Sequence, residues 1–178
     1  MSISRNNADE LLSRIRDIKD YPRQGIIFKD VTPLLKDGGA FKKSVEMLVK
    51  SVSGMHFDYV IGIEARGFIF GSALAYRLGK GFIPARKKGK LPYSVISEEY
   101  SLEYGSAALD IHTDALEKGS AILIVDDLLA TGGTALAAAR LVEKAGGVVA
   151  GMAFVVELKA LDGRSKLHGY NVISLLSC

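Results

Sequence analysis

Two adjacent carboxylates and a glycine–threonine turn stand together in the most informative stretch of this chain, Ala121–Thr134. Residues 121–125 are apolar and rich in β-branched side chains, which predicts a buried strand. Asp126 and Asp127 follow at once, and an Ala/Leu-rich helical run begins after the turn. Because first-turn amides of a helix lack internal partners and glycines let the backbone form a concave N–H nest, the turn predicts an anion site. Its residues are Ala130, Thr131, Gly132, Gly133 and Thr134.

The spacing of acids and turn indicates which anion. A phosphate bound by the turn would leave Asp126 and Asp127 in position to accept hydrogen bonds from sugar hydroxyls, so the predicted ligand is a ribose 5-phosphate. Without a lysine the turn is not a Walker A loop. The alternative is an ordinary strand–turn–helix corner with solvated acids. The stretch resembles the phosphoribosyl pyrophosphate signature of the type I phosphoribosyltransferases, which has apolar residues, two acids and a threonine–glycine turn.

The composition narrows the classes of protein to consider. The chain has 178 residues, 48% of them hydrophobic and 24% charged, as expected for one globular domain spanning residues 1–178. Its net charge of +3 is too small to argue for nucleic acid as a partner, but it suits a small polyanionic ligand. The single cysteine, Cys178, excludes an intrachain disulfide, and the apolar runs of about ten residues are too short for a membrane span. We therefore expect a cytoplasmic protein.

Strands alternating with helices predict an α/β fold: a doubly wound, mostly parallel twisted sheet with flanking helices. Residues 1–35 are expected to form a small N-terminal flap or hood containing an irregular segment at 25–33. Residues 87–105 are expected to form a flexible arm over the active site, and 107–112 to belong to a β-hairpin arm rather than to the core. The predicted helices are 8–18, 40–52, 69–78 and 135–145, and the predicted strands are 59–63, 81–85, 121–126, 148–156 and 171–176.

Three polar segments follow predicted strands, at residues 64–67, 86–87 and 126–134. In parallel sheets ligands bind beyond the carboxyl ends of the strands, so these segments are expected to share one site. The three histidines are scattered and follow no metal-ligand spacing. Ligand binding at two of these segments has alternatives. Arg66 could instead form a surface ion pair with Glu64. The basic run 86–90 could instead be a solvated face or bind nucleic acid.

Further motifs extend the resemblance over most of the chain. They lie in the order of the adenine phosphoribosyltransferases, a branch of the type I family, and the Ser-Leu-Glu-Tyr-Gly stretch at 101–105 is the one that distinguishes this branch. The other motifs are Asp30–Leu35, Ile63–Phe68, Arg86–Pro92 and Val125–Thr134.

The resemblance implies a reaction. The 5-phosphoribosyl group would pass from phosphoribosyl pyrophosphate to adenine, giving AMP and diphosphate in purine salvage, with Mg2+ held mainly through the substrate and no dedicated metal site. It also implies a homodimer. Bond breaking at the anomeric carbon produces oxocarbenium character, so nearby carboxylates are useful. Alternatives are a phosphoribosyltransferase for hypoxanthine, xanthine or another base, and a non-catalytic phosphoribosyl pyrophosphate-sensing regulator, although the latter normally carries an added DNA-binding domain.

The resemblance also implies roles for individual residues. Glu103 would be the acid/base group on the purine ring. The turn at 130–134 with Asp126 and Asp127 would hold the 5′-phosphate and ribose. Four basic residues, Arg66, Arg86, Lys87 and Lys90, would neutralise the leaving pyrophosphate. Adenine would be bounded by Ile27, stacked on Phe28 and read by the backbone of Ile27 and Lys29. By residue type alone, Ile27 and Phe28 would be core and Glu103 an exposed acid.

Overall fold

The computed structural model describes residues 5–101 and 106–178. Within this part of the chain the helices are α1 (Arg5–Leu12), α2 (Thr32–Lys36), α3 (Gly38–Ser51), α4 (Arg66–Leu78) and α5 (Gly133–Lys144). The strands are β1 (Arg16–Lys19), β2 (Ile27–Asp30), β3 (Tyr59–Ile63), β4 (Gly81–Lys87), β5 (Val95–Ser101), β6 (Ser106–His112), β7 (Ala121–Leu129), β8 (Val148–Glu157) and β9 (Val172–Ser177). Short 3-10 helices lie at Lys159–Leu161 and Gly163–Leu167.

A mostly parallel sheet organises the molecule. The described residues give it seven strands in the order β5-β6-β4-β3-β7-β8-β9, and β1 and β2 form a separate antiparallel pair. Strands β4, β3, β7, β8 and β9 pair in parallel, whereas β6 is antiparallel to both β4 and β5. The predicted fold class is therefore confirmed.

The direction of chain winding reverses between β3 and β7. From β3 the chain passes through α4 to β4 on one side, and from β7 through α5 to β8 on the other. Helix α4 packs with α3 on one face, where Leu48, Phe70 and Leu74 are fully buried. Helix α5 packs on the opposite face against Ile61 and Ile124. A crevice at the carboxyl ends of β3 and β7 is thus the expected ligand position.

The predicted helix 8–18 is wrong in its second half. Helix α1 ends at Leu12, and Arg16–Lys19 forms β1 against β2. Opposite charges face each other across this pair: Arg16 Nη2 lies 2.6 Å from Asp30 and Lys29 Nζ lies 2.7 Å from Asp17. Such cross-strand pairs favour the strands over continuation of the helix.

The segment predicted to be irregular at 25–33 is also ordered into regular elements. It contains β2 and the start of α2, where Pro33 occupies the first turn. Proline fits this position because its missing N–H would have no helical partner there. Buried Asp30 links the two elements by accepting from the Thr32 amide at 2.9 Å.

The expectation that 107–112 lies outside the core is wrong. Leu109 and Ile111 are 1% and 0% exposed and belong to the core beneath α5. Strand β6 also pairs with β4, with Arg86 opposite Asp110. The alternating pattern in the sequence therefore belongs to a sheet strand in which the polar Asp110 is buried along with its apolar neighbours.

Other predicted elements occur with shifted ends. Helix α4 begins at Arg66, three residues before the predicted start at Ile69, and β7 continues to Leu129. These shifts place two predicted site residues in regular elements, Arg66 in α4 and Asp127 in β7. No helix in the two described ranges is long and apolar enough to cross a bilayer.

Candidate active site

The glycine–threonine turn connects the central strand β7 to helix α5. Gly132 has φ of 77°, a left-handed conformation that suits glycine, and Gly133 begins the helix. No side chain caps this helix start among the described residues, so its first amides are available to an anion. The turn lines a cavity of about 70 Å³. All five predicted turn residues line it, together with Asp126, Leu128, Leu129, Ala135 and Phe154.

A second glycine, Gly163, packs against the turn, and the sequence analysis did not identify it. A Cβ on Gly132 would lie 2.3 Å from the carbonyl oxygen of Gly163, and a Cβ on Gly163 would lie 2.1 Å from that of Ala130. Neither position has room for any side chain. The pairing of Leu161–Arg164 with the phosphate turn had no local signal, because it joins segments about thirty residues apart.

The loop that carries Gly163 is fixed by an ion pair between Arg164 and the buried carboxylate of Glu157. Arg164 donates to both carboxylate oxygens of Glu157, at 2.9 and 2.6 Å, and to the Val172 carbonyl at 2.8 Å. Glu157 is 7% exposed, and hydrogen bonding from Arg164 holds its pKa below the ordinary value. The phosphate turn therefore rests on an anchored support.

The two carboxylates occupy different environments at the end of β7. Asp127 is 4% exposed and forms an ion pair with Arg66. Asp126 is half-buried, and its Oδ1 accepts from the Asp127 amide at 2.8 Å. Burial and the neighbouring Asp127 carboxylate raise the pKa of Asp126 well above its usual value. Asp127 thus faces the Arg66 guanidinium, whereas Asp126 lines the cavity at the turn.

Helix α4 starts directly against the end of β7. A Cβ on Gly67 would lie 2.8 Å from both Asp126 Oδ1 and the Val125 carbonyl oxygen, so only glycine permits this approach. The approach brings Arg66 to Asp127, and the Arg66 guanidinium also lies 5.2 Å from the centre of the Phe28 ring. Arg66 therefore does not pair with Glu64, as one interpretation of the sequence allowed, but connects the β7 carboxylates to the N-terminal flap.

Glu64 organises the basic segment instead. Its carboxylate accepts from Arg86 at 3.2 and 3.4 Å and from the Lys87 amide at 3.0 Å, while Arg86 also donates to the Lys90 carbonyl at 2.9 Å. The Arg86 guanidinium is thus engaged by protein groups. The ammonium groups of Lys87 and Lys90 form no ion pair within the described ranges. The strand ends bring this segment to the same edge of the sheet as the carboxylates.

The predicted base-binding residues lie on β2. Ile27 is 52% exposed, whereas Phe28 is half-buried between Arg66 and the Tyr21 ring, whose centre is 5.3 Å away. The Lys29 ammonium pairs with Asp17 on β1. Ile27 and Lys29 are two residues apart in one strand, so their backbone groups face the same strand edge.

Not every predicted site residue is described. Glu103 lies outside the described residues. Within 5–101 and 106–178, no group of three or more His, Cys, Asp or Glu side chains is arranged to hold a metal ion.

Comparison with known proteins gives consistent matches. Residues 34–175 match the phosphoribosyl transferase domain family. An adenine phosphoribosyltransferase of a Thermoanaerobacter species is 56% identical over 168 residues, covering 94% of this chain and 97% of the relative. That of Chlorobium chlorochromatii is 60% identical over 167 residues, covering 92% and 94%.

Solved structures agree. The adenine phosphoribosyltransferase of Thermoanaerobacter pseudethanolicus superposes with a TM-score of 0.94 at 55% identity, covering 96% of this chain and 99% of that one. The Saccharomyces cerevisiae adenine phosphoribosyltransferase, solved with adenine and an imino-altritol bisphosphate, gives a TM-score of 0.89 at 40% identity, with coverage of 96% and 98%.

Proposed function

The chain belongs to the adenine phosphoribosyltransferase family, and from its geometry we propose how its residues divide the work of the reaction. The enzyme transfers the 5-phosphoribosyl group of phosphoribosyl pyrophosphate to adenine, giving AMP and diphosphate. One observation supports the proposed division most strongly. Two features suited to anions, the 130–134 turn and the 86–90 segment, follow β7 and β4, whose carboxyl ends lie at the same edge of the sheet as the Asp126–Asp127 pair.

The 5′-phosphate binds in the 130–134 turn. The unpaired amides at the start of α5 and the Thr131 and Thr134 hydroxyls supply its donors, and the dipole of a twelve-residue helix favours negative charge there. The close contact with Gly163 supports this assignment, because a preorganised cradle needs little rearrangement when the phosphate arrives.

The ribose hydroxyls bind to Asp126 and Asp127. Hydroxyl donors stabilise an ionised carboxylate, so ligand binding would offset the effects that raise the pKa of Asp126. Negative charge at this point also favours the transition state, in which the anomeric carbon carries positive character. Arg66, which is paired with Asp127, would stabilise the negative charge that develops on the departing diphosphate.

The diphosphate is held by Arg66, Arg86, Lys87 and Lys90. Lys87 and Lys90 provide the mobile positive charges, and Arg86 contributes mainly by fixing the segment through Glu64 and the Lys90 carbonyl. Mg2+ prefers oxygen ligands and retains waters, so the substrate's phosphate oxygens with a carboxylate such as Asp126 or Asp127 suit it. When bound, Mg2+ would neutralise charge on the diphosphate as the C–O bond breaks.

Adenine binds against β2. Phe28 offers an aromatic face, Ile27 an exposed apolar side chain, and the backbone of Ile27 and Lys29 hydrogen-bonding groups for the base edge. N9 of adenine bonds to the anomeric carbon as the C–O bond to the diphosphate breaks; the diphosphate leaves with the electron pair, and the N9 proton passes to water. Glu103 is the proposed acid/base group that donates to N7 of the purine.

Assembly and location complete the proposal. We propose a two-fold homodimer, supported by exposed apolar side chains such as Ile69 and Tyr76 on α4, which are 39% and 89% exposed. Sedimentation showing only monomer at micromolar concentration would refute it. A cytoplasmic location is supported by the single cysteine, since disulfides are rare in reducing compartments.

The activity is tested with purified protein, phosphoribosyl pyrophosphate and Mg2+. Adenine should be converted to AMP, whereas hypoxanthine, xanthine and orotate in parallel reactions should give little nucleotide. Separation of the products by chromatography distinguishes these outcomes. Equal turnover of hypoxanthine would support the alternative base specificity. Binding of phosphoribosyl pyrophosphate without turnover of any base would support the non-catalytic alternative.

A further inference from the structure

The basic turn Lys87–Lys90 is held entirely by protein hydrogen bonds along its backbone. The Lys87 amide donates to Glu64 at 3.0 Å, and the Lys88 amide to the Ala108 carbonyl at 3.1 Å. The Gly89 amide donates to Asp110 at 3.0 Å, and the Lys90 amide to the Lys87 carbonyl at 3.2 Å. All four amides are therefore engaged, and an anion at this turn is bound by side chains.

Binding by side chains makes the orientation of the turn important. A lysine ammonium is a point charge on a flexible stem, and its useful direction depends on where the backbone places the stem. Gly89 has φ of 78°, so the backbone changes direction sharply between Lys87 and Lys90. The contact that fixes Gly89 consequently determines how Lys87 and Lys90 diverge.

That contact is made by a deeply buried carboxylate. Asp110 on β6 is 2% exposed; its Oδ2 accepts from the Gly89 amide and its Oδ1 accepts from the Ser97 hydroxyl at 2.6 Å. Burying a carboxylate is unfavourable unless hydrogen bonds satisfy its oxygens. The two hydrogen bonds therefore stabilise the buried Asp110 carboxylate and also fix the Gly89 amide and the Ser97 hydroxyl in place. The same side chain thus joins the basic turn to strand β5.

We propose that Asp110 is a positioning residue for diphosphate recognition: by holding the Gly89 amide it directs the Lys87 and Lys90 side chains toward the diphosphate moiety of the substrate. The proposal rests on the assignment of diphosphate to this turn. It predicts a selective defect, because the proposed 5′-phosphate site is a different segment, the 130–134 turn.

The test compares Asp110→Asn with a matched control. The amide has the same shape as the carboxylate but carries no charge and has one acceptor oxygen, so its hydrogen bond with the Gly89 amide is weaker or is replaced by one with Ser97. Glu98→Gln is the control, since Glu98 is a similarly buried carboxylate in the same hairpin whose partners, Arg140 and Lys144, lie on α5. Calorimetric titration measures binding of magnesium pyrophosphate and, separately, of AMP.

Asp110→Asn should weaken magnesium pyrophosphate binding about tenfold and leave AMP binding within about twofold. Glu98→Gln should leave both within about twofold. Equal weakening of both ligands by Asp110→Asn, or no change in either, would overturn the proposal. If Asp110→Asn does not fold, Ser97→Ala, which removes only the second donor, should give a smaller loss in pyrophosphate binding alone, and no such loss would overturn the proposal.

Lys90→Ala separates failure of this inference from failure of its premise. If Lys90→Ala weakens pyrophosphate binding and Asp110→Asn does not, the turn binds diphosphate but Asp110 does not position it. If neither variant weakens it, the assignment of diphosphate to the turn is itself wrong.

Discussion

The two halves of the site are built in contrasting ways. The core half, at the end of β7 and the start of α5, presents backbone amides and two carboxylates, and the backbones of Gly132 and Gly163 are in close contact. The edge half, formed by the end of β4 and the β5–β6 hairpin, presents long basic side chains on a turn held by Glu64 and Asp110.

The contrast follows from what each half must hold during the reaction. The 5′-phosphate and ribose stay with the enzyme from substrate to nucleotide, so a rigid cradle suits them. The diphosphate changes its charge and leaves, so side chains on an anchored turn suit it better. Rigid preorganisation and adjustable charge are thus separated within one crevice.

The largest expected effect distinguishes activation of the base from binding in the core half. Glu103→Leu should lower kcat with adenine by about a hundredfold to ten-thousandfold, because a general acid–base group is lost. The Kd of phosphoribosyl pyrophosphate should stay within a few-fold, and Glu103→Gln should be milder. Asp127→Asn, in the core half, should weaken phosphoribosyl pyrophosphate binding as well. Near-full turnover by Glu103→Leu would show that the purine is activated without this carboxyl group.

A pair of glycine variants tests rigidity directly. Gly132 and Gly89 have φ of 77° and 78°, so alanine at either position incurs a similar backbone strain of about 1 kcal/mol. Only at Gly132 would the new Cβ collide with another backbone, 2.3 Å from the Gly163 oxygen, whereas nothing lies within 4 Å at Gly89. Gly132→Ala should raise the KM for phosphoribosyl pyrophosphate at least about tenfold more than Gly89→Ala does. Equal increases would mean that the core cradle is as adjustable as the edge turn.

The smallest expected effect concerns the contact between the halves. Glu98 on β5 pairs with Lys144 and Arg140 of α5, and these contacts, chiefly the Lys144 hydrogen bond, hold the pKa of Glu98 below 4.5. A lowered pKa means that the carboxylate stabilises the fold above pH 4.5 and that this contribution disappears as the pH falls below it.

Scanning calorimetry of Glu98→Gln tests the direction of this pH dependence. The Tm difference from the unmodified protein should be largest near pH 7 and should shrink toward pH 3. Glu99→Gln is the control, because the Glu99 side chain is 72% exposed in its pair with Lys88 and should contribute little. A Tm difference for Glu98→Gln that stays constant over this range would contradict the assignment.

The core half was the more predictable from sequence. Its strand, acids and turn are contiguous, and apolar runs such as Tyr59–Ile63 predict strand ends that coincide with those observed. What could not be predicted joins distant segments. The pairing of Arg66 with Asp127, of Glu64 with Arg86, and of Gly132 with Gly163 depends on sheet order and crossover geometry, which leave no local pattern.

The edge half was interpreted less well because its signals are ambiguous. The polar alternation around Leu109 and Ile111 is compatible with an exposed hairpin and with an extension of the sheet, and only pairing with β4 decides between them.

The N-terminal segment was also ambiguous. At Arg16–Lys19, helical spacing of apolar residues favoured a helix, but cross-strand ion pairs with β2 favour a strand.

The division into two halves is tested most directly by titrating AMP and magnesium pyrophosphate into two single variants. Thr134→Val keeps the side-chain shape of the core turn but removes its hydroxyl, and Lys87→Ala removes one charge from the edge turn. Thr134→Val should weaken AMP binding about tenfold and leave pyrophosphate binding within about twofold, and Lys87→Ala should do the reverse. If both variants weaken the same ligand, or each weakens both ligands equally, the two halves do not bind separate parts of the substrate.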